Sequence, residues 1–177
     1  MITRLKIKRY CNKLGVDNIL QSKPPQKKLP ETLIYNTGND YIMFSTKTGE
    51  QLGRMNAYIT EWPPGKSYYP KEKETYTCLY INGLIVFKKM QGVGKKFIEF
   101  AKGLSKNSKA KGKINILAWC LDDSKVCPQI FYHKMGFTTA NKKHLAEILR
   151  LEKTNTKTPR LFGNWNVYTN MYLEAAS

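Results

Sequence analysis

Leu84-Ile85-Val86-Phe87-Lys88-Lys89-Met90-Gln91-Gly92-Val93-Gly94-Lys95-Lys96 decides how this chain folds. An apolar run of strand character enters a basic, glycine-containing loop. From Gly94 the period becomes helical: Phe97, Ile98, Ala101 and Leu104 share a stripe, while Lys95, Lys96, Glu99, Lys102 and Lys106 take other faces. A strand feeding a helix through glycines offers backbone N–H groups and the positive end of the helix dipole, with lysines adding charge. Such a junction suits the pyrophosphate of a cofactor. Its candidate contacts are Gln91, Gly92, Val93, Gly94, Lys95 and Lys96. Two common phosphate signatures fail here. A P-loop needs a glycine where Lys89 stands and a hydroxyl where Lys96 stands, and a dinucleotide fingerprint begun at Gly92 would end on Phe97. Taken alone, the segment also reads as a plain strand–turn–helix connection with incidental lysines.

Upstream, Tyr76 to Phe87 is the longest strand candidate, interrupted by Asn82-Gly83. Too few strand residues precede that pair for a good hairpin, so a bulge is expected. Tyr41–Ser45 and Gln51–Thr60 form a hairpin about Thr46–Glu50, and Trp62-Pro63-Pro64-Gly65 opens a polar loop running to Glu74. Lys23 to Pro30 reads as an extended connector. Downstream, Lys113–Cys120 is a buried strand and Val126–Met135 a short helix closed by Gly136. A helical stretch around His144–Leu151, a polar loop through Pro159 and a last strand from Trp165 to Leu173 follow. The strand–loop–helix–strand–helix order from 76 to 137 implies parallel strands joined by a right-handed crossover.

Phe131-Tyr132-His133-Lys134-Met135-Gly136-Phe137 then completes a pattern. Leu84 and Val86 match an L-x-V strand phrase, Gln91 to Gly94 a [QR]-x-x-G-x-[GA] loop, and 131–137 a closing phrase like L-Y-x-K-x-G-F. In this order the chain resembles the general N-acetyltransferase superfamily over about residues 40–137. The resemblance implies an α/β (α+β) fold: a single mixed, centrally splayed β-sheet flanked by helices. One domain would span 1–177, with residues 1–39 of uncertain structure, 40–137 as the cofactor-binding core, and 138–177 as a variable segment plus C-terminal strand. It also implies transfer of an acetyl group from acetyl-CoA to a primary amine by direct attack in a ternary complex. The cofactor arm would lie against the backbone of Leu84, Ile85 and Val86, and Tyr132 would be the general acid. The chain departs from the pattern in places. Counting from Val86 puts Lys96 at the last small position, whereas counting back from the helix aligns Gly92 and Gly94 and keeps Phe97 and Ile98 buried. Asn82 stands near a position where many relatives carry a Glu that acts as a base, and Lys125 where many carry an Asn that binds the cofactor arm. Proton removal from the amine is left to water or to Glu61, Asp122 or Asp123. Trp62, Tyr68 and Tyr69 either wall the acceptor site or cover the core, and His133 is expected to face solvent.

Thirty Lys and Arg against 13 Asp and Glu give a formal net charge of +17. That balance attracts anions of any kind, so the acceptor classes are a protein amine, a small-molecule amine or an aminoacyl-tRNA, with polyamines disfavoured. It equally suits a basic nucleic-acid-binding module with this fold and no catalysis. A partner-binding subunit that has lost activity is a third reading. A homodimer is compatible with the sequence. No apolar run approaches the roughly 20 residues of a membrane span, and the N-terminus lacks the apolar region of a signal peptide, so a cytoplasmic protein without membrane partners is expected. Four scattered cysteines without a C-x-x-C pair, and two histidines, point to reduced thiols and no metal site.

Overall fold

The computed structural model describes residues 31–64, 69–87, 91–119, 127–154 and 168–173. Six strands form one sheet in strict chain order: β1 (Thr32–Thr37), β2 (Asp40–Ser45), β3 (Gln51–Trp62), β4 (Tyr76–Val86), β5 (Ile114–Trp119) and β6 (Tyr168–Leu173). Among the described residues three helices are interleaved: α1 (Val93–Lys106), α2 (Pro128–Lys134) and α3 (Lys142–Thr154). Every neighbouring pair is antiparallel except β4 and β5, which run parallel across the α1 crossover. The expected mixed sheet flanked by helices is therefore present.

β1 lies in the stretch left unassigned by sequence. It pairs with β2 through a two-residue turn, Gly38-Asn39, in which Gly38 takes φ 78°. A glycine with positive φ at the first turn position matches the II′ geometry that follows the natural twist of a hairpin. The expected β2–β3 hairpin forms, its turn closed by the Ser45 N–H on the Glu50 carbonyl at 2.9 Å.

Alternation along the strands sorts the core. Met43, Met55, Leu79, Ile81, Ile114, Ile116 and Met171 point to one face. There they meet Phe97, Ile98 and Ala101 of α1, Tyr132 of α2, and Ile148 and Leu151 of α3. The α1 stripe is the expected one, with Phe97 and Ile98 fully buried. Ser105 is buried beside it and donates its hydroxyl to the Lys113 carbonyl at 2.8 Å, closing the α1–β5 connection. The opposite face holds a second cluster of Tyr76, Cys78 and Tyr172, capped by Tyr69 from the preceding loop. His144 of α3 meets the Thr169 hydroxyl of β6 at 3.0 Å. Among the described residues no helix is long and apolar enough to cross a membrane.

Candidate functional site

The site begins at Asn82. On the β3–β4 ladder Asn56 pairs with Gly83 and Ala57 with Ile81, so Asn82 has no residue opposite it. This is the expected bulge, one extra residue that bends its strand. β4 and β5 share only three rungs, Leu79–Ile114, Tyr80–Asn115 and Ile81–Ile116. Past them β4 stays with β3 through Val86, and β5 stays with β6 through Trp119, so the two strands part. The Phe87 N–H bonds the Leu52 carbonyl at 2.9 Å, which fixes the alternation of the ladder. Ile85 and Phe87 therefore turn their backbone groups toward β3, while Leu84 and Val86 turn theirs into the gap.

At the end of β4, α1 starts without a cap. Gly92 takes φ 70° at the N-cap, a left-handed conformation costly for a residue with a Cβ, and no side chain caps the helix. The first helical bond runs from Lys96 N–H to the Gly92 carbonyl at 3.0 Å, leaving the Val93, Gly94 and Lys95 amides without an in-helix partner. No acidic residue sits in the first turn. Lys95 and Lys96 stand there exposed, where the helix dipole disfavours a cation. Gln91 is exposed and Val93 buried. Lys96 Nζ lies 3.5 Å from Thr32 Oγ1, and a cavity of about 330 Å³ opens between Gln91, Val93 and Lys96 and the ends of β1 and β2. Gly94 also has a packing duty, since a Cβ there would sit 3.0 Å from the Phe131 ring of α2. Gly53 is a counterpart that sequence reasoning missed: a Cβ on it would meet the Ile85 carbonyl at 2.6 Å and Phe97 at 3.0 Å. Lys88 and Lys89 lie outside the described residues, as do Tyr68, Asp122, Asp123 and Lys125.

Tyr132 is buried against β5, its ring 5.1 Å from that of Phe131 and 5.7 Å from that of Phe137. One turn earlier on the same helix, Gln129 Nε2 reaches the Ala118 carbonyl of β5 at 3.4 Å. Burial raises the Tyr132 phenol well above its ordinary value, so the hydroxyl stays protonated across the neutral range. His133 does not face solvent as expected. It is half-buried and meets Glu152 at 3.0 Å, joining α2 to α3.

A bulged fourth strand that parts from a parallel fifth, with a helix starting at its end, is the expected splayed sheet. It is the sheet that the resemblance to the general N-acetyltransferases implies. No family model and no curated protein matches the chain. Among solved structures it is similar to a bacterial toxin, at 16% identity over 77% of this chain and 66% of that one, TM-score 0.45. A second is AtaT complexed with acetyl-methionyl-tRNAfMet, at 12% identity over 58% and 65%, TM-score 0.45. A third is ElaA of Escherichia coli, at 15% identity over 98% and 92%, TM-score 0.42. The chain thus spans about two thirds of the length of the first two. Likenesses this distant concern the course of the backbone, and no activity is carried over from them.

The face opposite the helices carries what the sequence did not disclose. Arg54 donates to both Asp40 oxygens, Nε at 3.1 Å and Nη2 at 2.6 Å. Asn56 Nδ2 donates to the same carboxylate at 2.9 Å, and Asn82 Nδ2 donates to Asn56 Oδ1 at 3.3 Å. The hydrogen bonds from Arg54 and Asn56 hold the Asp40 carboxyl below its usual range. Tyr69 proves to be a core cover. Its hydroxyl receives the Ile114 N–H at 2.9 Å and donates to the Leu173 carbonyl, and its ring packs on Tyr76 and Tyr172. Trp62 packs against the same cluster. Cys78 is buried beneath, its thiol pushed up to about 12 by burial. Glu61 alternates onto the helix face of β3, four residues and about 13 Å along the strand from Ala57, away from the bulge.

Proposed function

We propose that this chain is an acyltransferase that moves the acetyl group of acetyl-CoA to a primary amine by direct attack in a ternary complex. One observation carries the reading: β4 and β5 part after three rungs, and an uncapped, lysine-bearing helix starts where β4 ends. An extended, amide-bearing arm that leads to a pyrophosphate fits these groups. Leu84 and Val86, with Ile85 between them, would hold the arm through backbone donors and acceptors. The amides of Val93, Gly94 and Lys95, with Gly92, Gln91 and Lys96, would hold the anion, which removes the conflict between two cations and the helix dipole. Bound acetyl-CoA would supply an activated acyl group as a thioester. A backbone N–H facing the gap suits the stabilisation of negative charge on the acyl oxygen. Tyr132, kept protonated by burial, would hold a proton at its hydroxyl for the departing sulfur.

Thermal unfolding with acetyl-CoA, desulfo-CoA and ATP tests the reading. A ligand that binds only the native state raises the melting temperature by mass action. Stabilisation by both CoA species and little by ATP is expected, and Tyr132→Phe should keep that shift while lowering amine turnover by about 100-fold or more. No shift at millimolar acetyl-CoA would sink the reading and turn attention to nucleic acid, through the +17 charge.

A further inference from the structure

We infer that Asn82 is the positioning residue for the acceptor, its side-chain carbonyl oxygen receiving an N–H of the attacking amine, and that the acceptor is an amine of low basicity such as an α-amine. The inference rests on the acyltransferase reading. Its ground is the direction of the hydrogen bonds between Asp40 and the bulge. Both Asp40 oxygens accept from Arg54, so the carboxylate is ionised and can only accept. Asn56 must then turn its NH₂ to Asp40 and its carbonyl away. That carbonyl takes the Asn82 NH₂, so the Asn82 carbonyl is the group left over. Among the described residues nothing donates to it, and Asn82 is exposed at the point where β4 leaves β5. The relay therefore ends in a fixed acceptor at the mouth of the gap, on the face opposite the described helices.

An amide oxygen orients an amine but does not take its proton. Asp40 does not take it either, being ionised, engaged by Arg54 and Asn56, and held below its usual range. Besides Arg54, the other ionisable side chains that β3 to β6 carry on this face are, among the described residues, the phenols Tyr58, Tyr76, Tyr80, Tyr168 and Tyr172 and the Cys78 thiol. Among the described residues no base then faces the amine, which is taken to arrive as the free base; Asp122 and Asp123 lie outside those residues. In the transfer an N–C bond forms as the C–S bond breaks. The sulfur leaves with the electron pair and takes one proton from Tyr132, the amine proton goes to water, and water restores Tyr132. Free α-amines titrate near 8 and lysine side chains near 10.4, so at pH 7 the unprotonated fraction differs by a few hundredfold.

The test measures thiol release from acetyl-CoA at pH 7 with two probes, a lysine-free tripeptide with a free α-amine and Nα-acetyl-lysine amide. Turnover of the tripeptide is expected to exceed that of the lysine probe on the order of 100-fold, its rate rising with pH along the tripeptide's own titration. Asn82→Ala should raise the KM for the tripeptide about tenfold and leave the KM for acetyl-CoA unchanged. Asn56→Leu, which frees the Asn82 amide to turn over, should do the same. Asn82→Asp supplies a carboxylate and should shift the pH profile toward acid and narrow the gap between the probes. Equal turnover of the two probes, or an acceptor KM indifferent to both Asn82→Ala and Asn56→Leu, overturns the inference. So does retained stabilisation by acetyl-CoA with neither probe acetylated. Absence of that stabilisation identifies failure of the acyltransferase reading instead.

Discussion

Tyr69 is the residue whose role changes most between sequence and structure. On a loop before the fourth strand it reads equally as an acceptor-stacking aromatic or a core cover. Its hydroxyl joins the first amide of β5 to the last carbonyl of β6, and Lys113 lies 5.6 Å from its ring centre. Tyr69→Phe would keep the ring and leave both backbone groups buried without that partner, at a cost of about 2 kcal/mol. Urea unfolding should show it as a lower midpoint with an unchanged slope. Single residues were legible where one local rule governs them, as with the glycines of the loop and the buried pair Phe97 and Ile98. Tyr69, Asn56 and Asp40 were not, because their partners lie 104, 26 and 14 residues away along the chain and no local periodicity encodes them. Gly53 escaped for the same reason, since the group that forbids a Cβ there is the Ile85 carbonyl of the neighbouring strand β4.

At the scale of the element, α1 exposes a conflict between folding and binding. A helix that begins with two lysines and no acidic residue is worse by itself than one that begins with carboxylates. Lys95→Glu and Lys96→Glu should each raise the stability of the ligand-free protein by about 0.3–1 kcal/mol. The same changes should weaken acetyl-CoA binding, so the variants melt higher without the ligand and gain less when it is added. A helix whose lysines are merely incidental would show the first effect without the second. Elements with a clear period were legible before the structure: the β2–β3 hairpin, the bulge in β4, α1, and the short helix ending at Gly136. β1 was missed although Gly38-Asn39 between two six-residue strands is a recognised hairpin signal. Its alternation is blurred, because every residue of β1 is half-buried or exposed.

For the whole molecule, the weak joint between β4 and β5 sets the pattern of motion. The sheet consists of a four-strand part and a two-strand part that share three rungs, with α1 and the core beneath them. Amide exchange should be slow at Leu79, Ile81 and Ile116 and fast at Leu84 and Val86, whose N–H groups face the gap. Acetyl-CoA should slow exchange at Leu84 and Val86, and an unchanged rate there would count against the arm lying along β4. The order of the strands has a consequence for biosynthesis. Because each strand lies beside its successor in sequence, a chain growing from the ribosome can close the β1–β4 meander before β5 exists. The walls of the gap are thus completed last, when β5 and β6 dock against an edge already formed. A nascent chain halted after α1 would present that edge, with its apolar underside, to whatever chaperone or neighbouring chain is nearest.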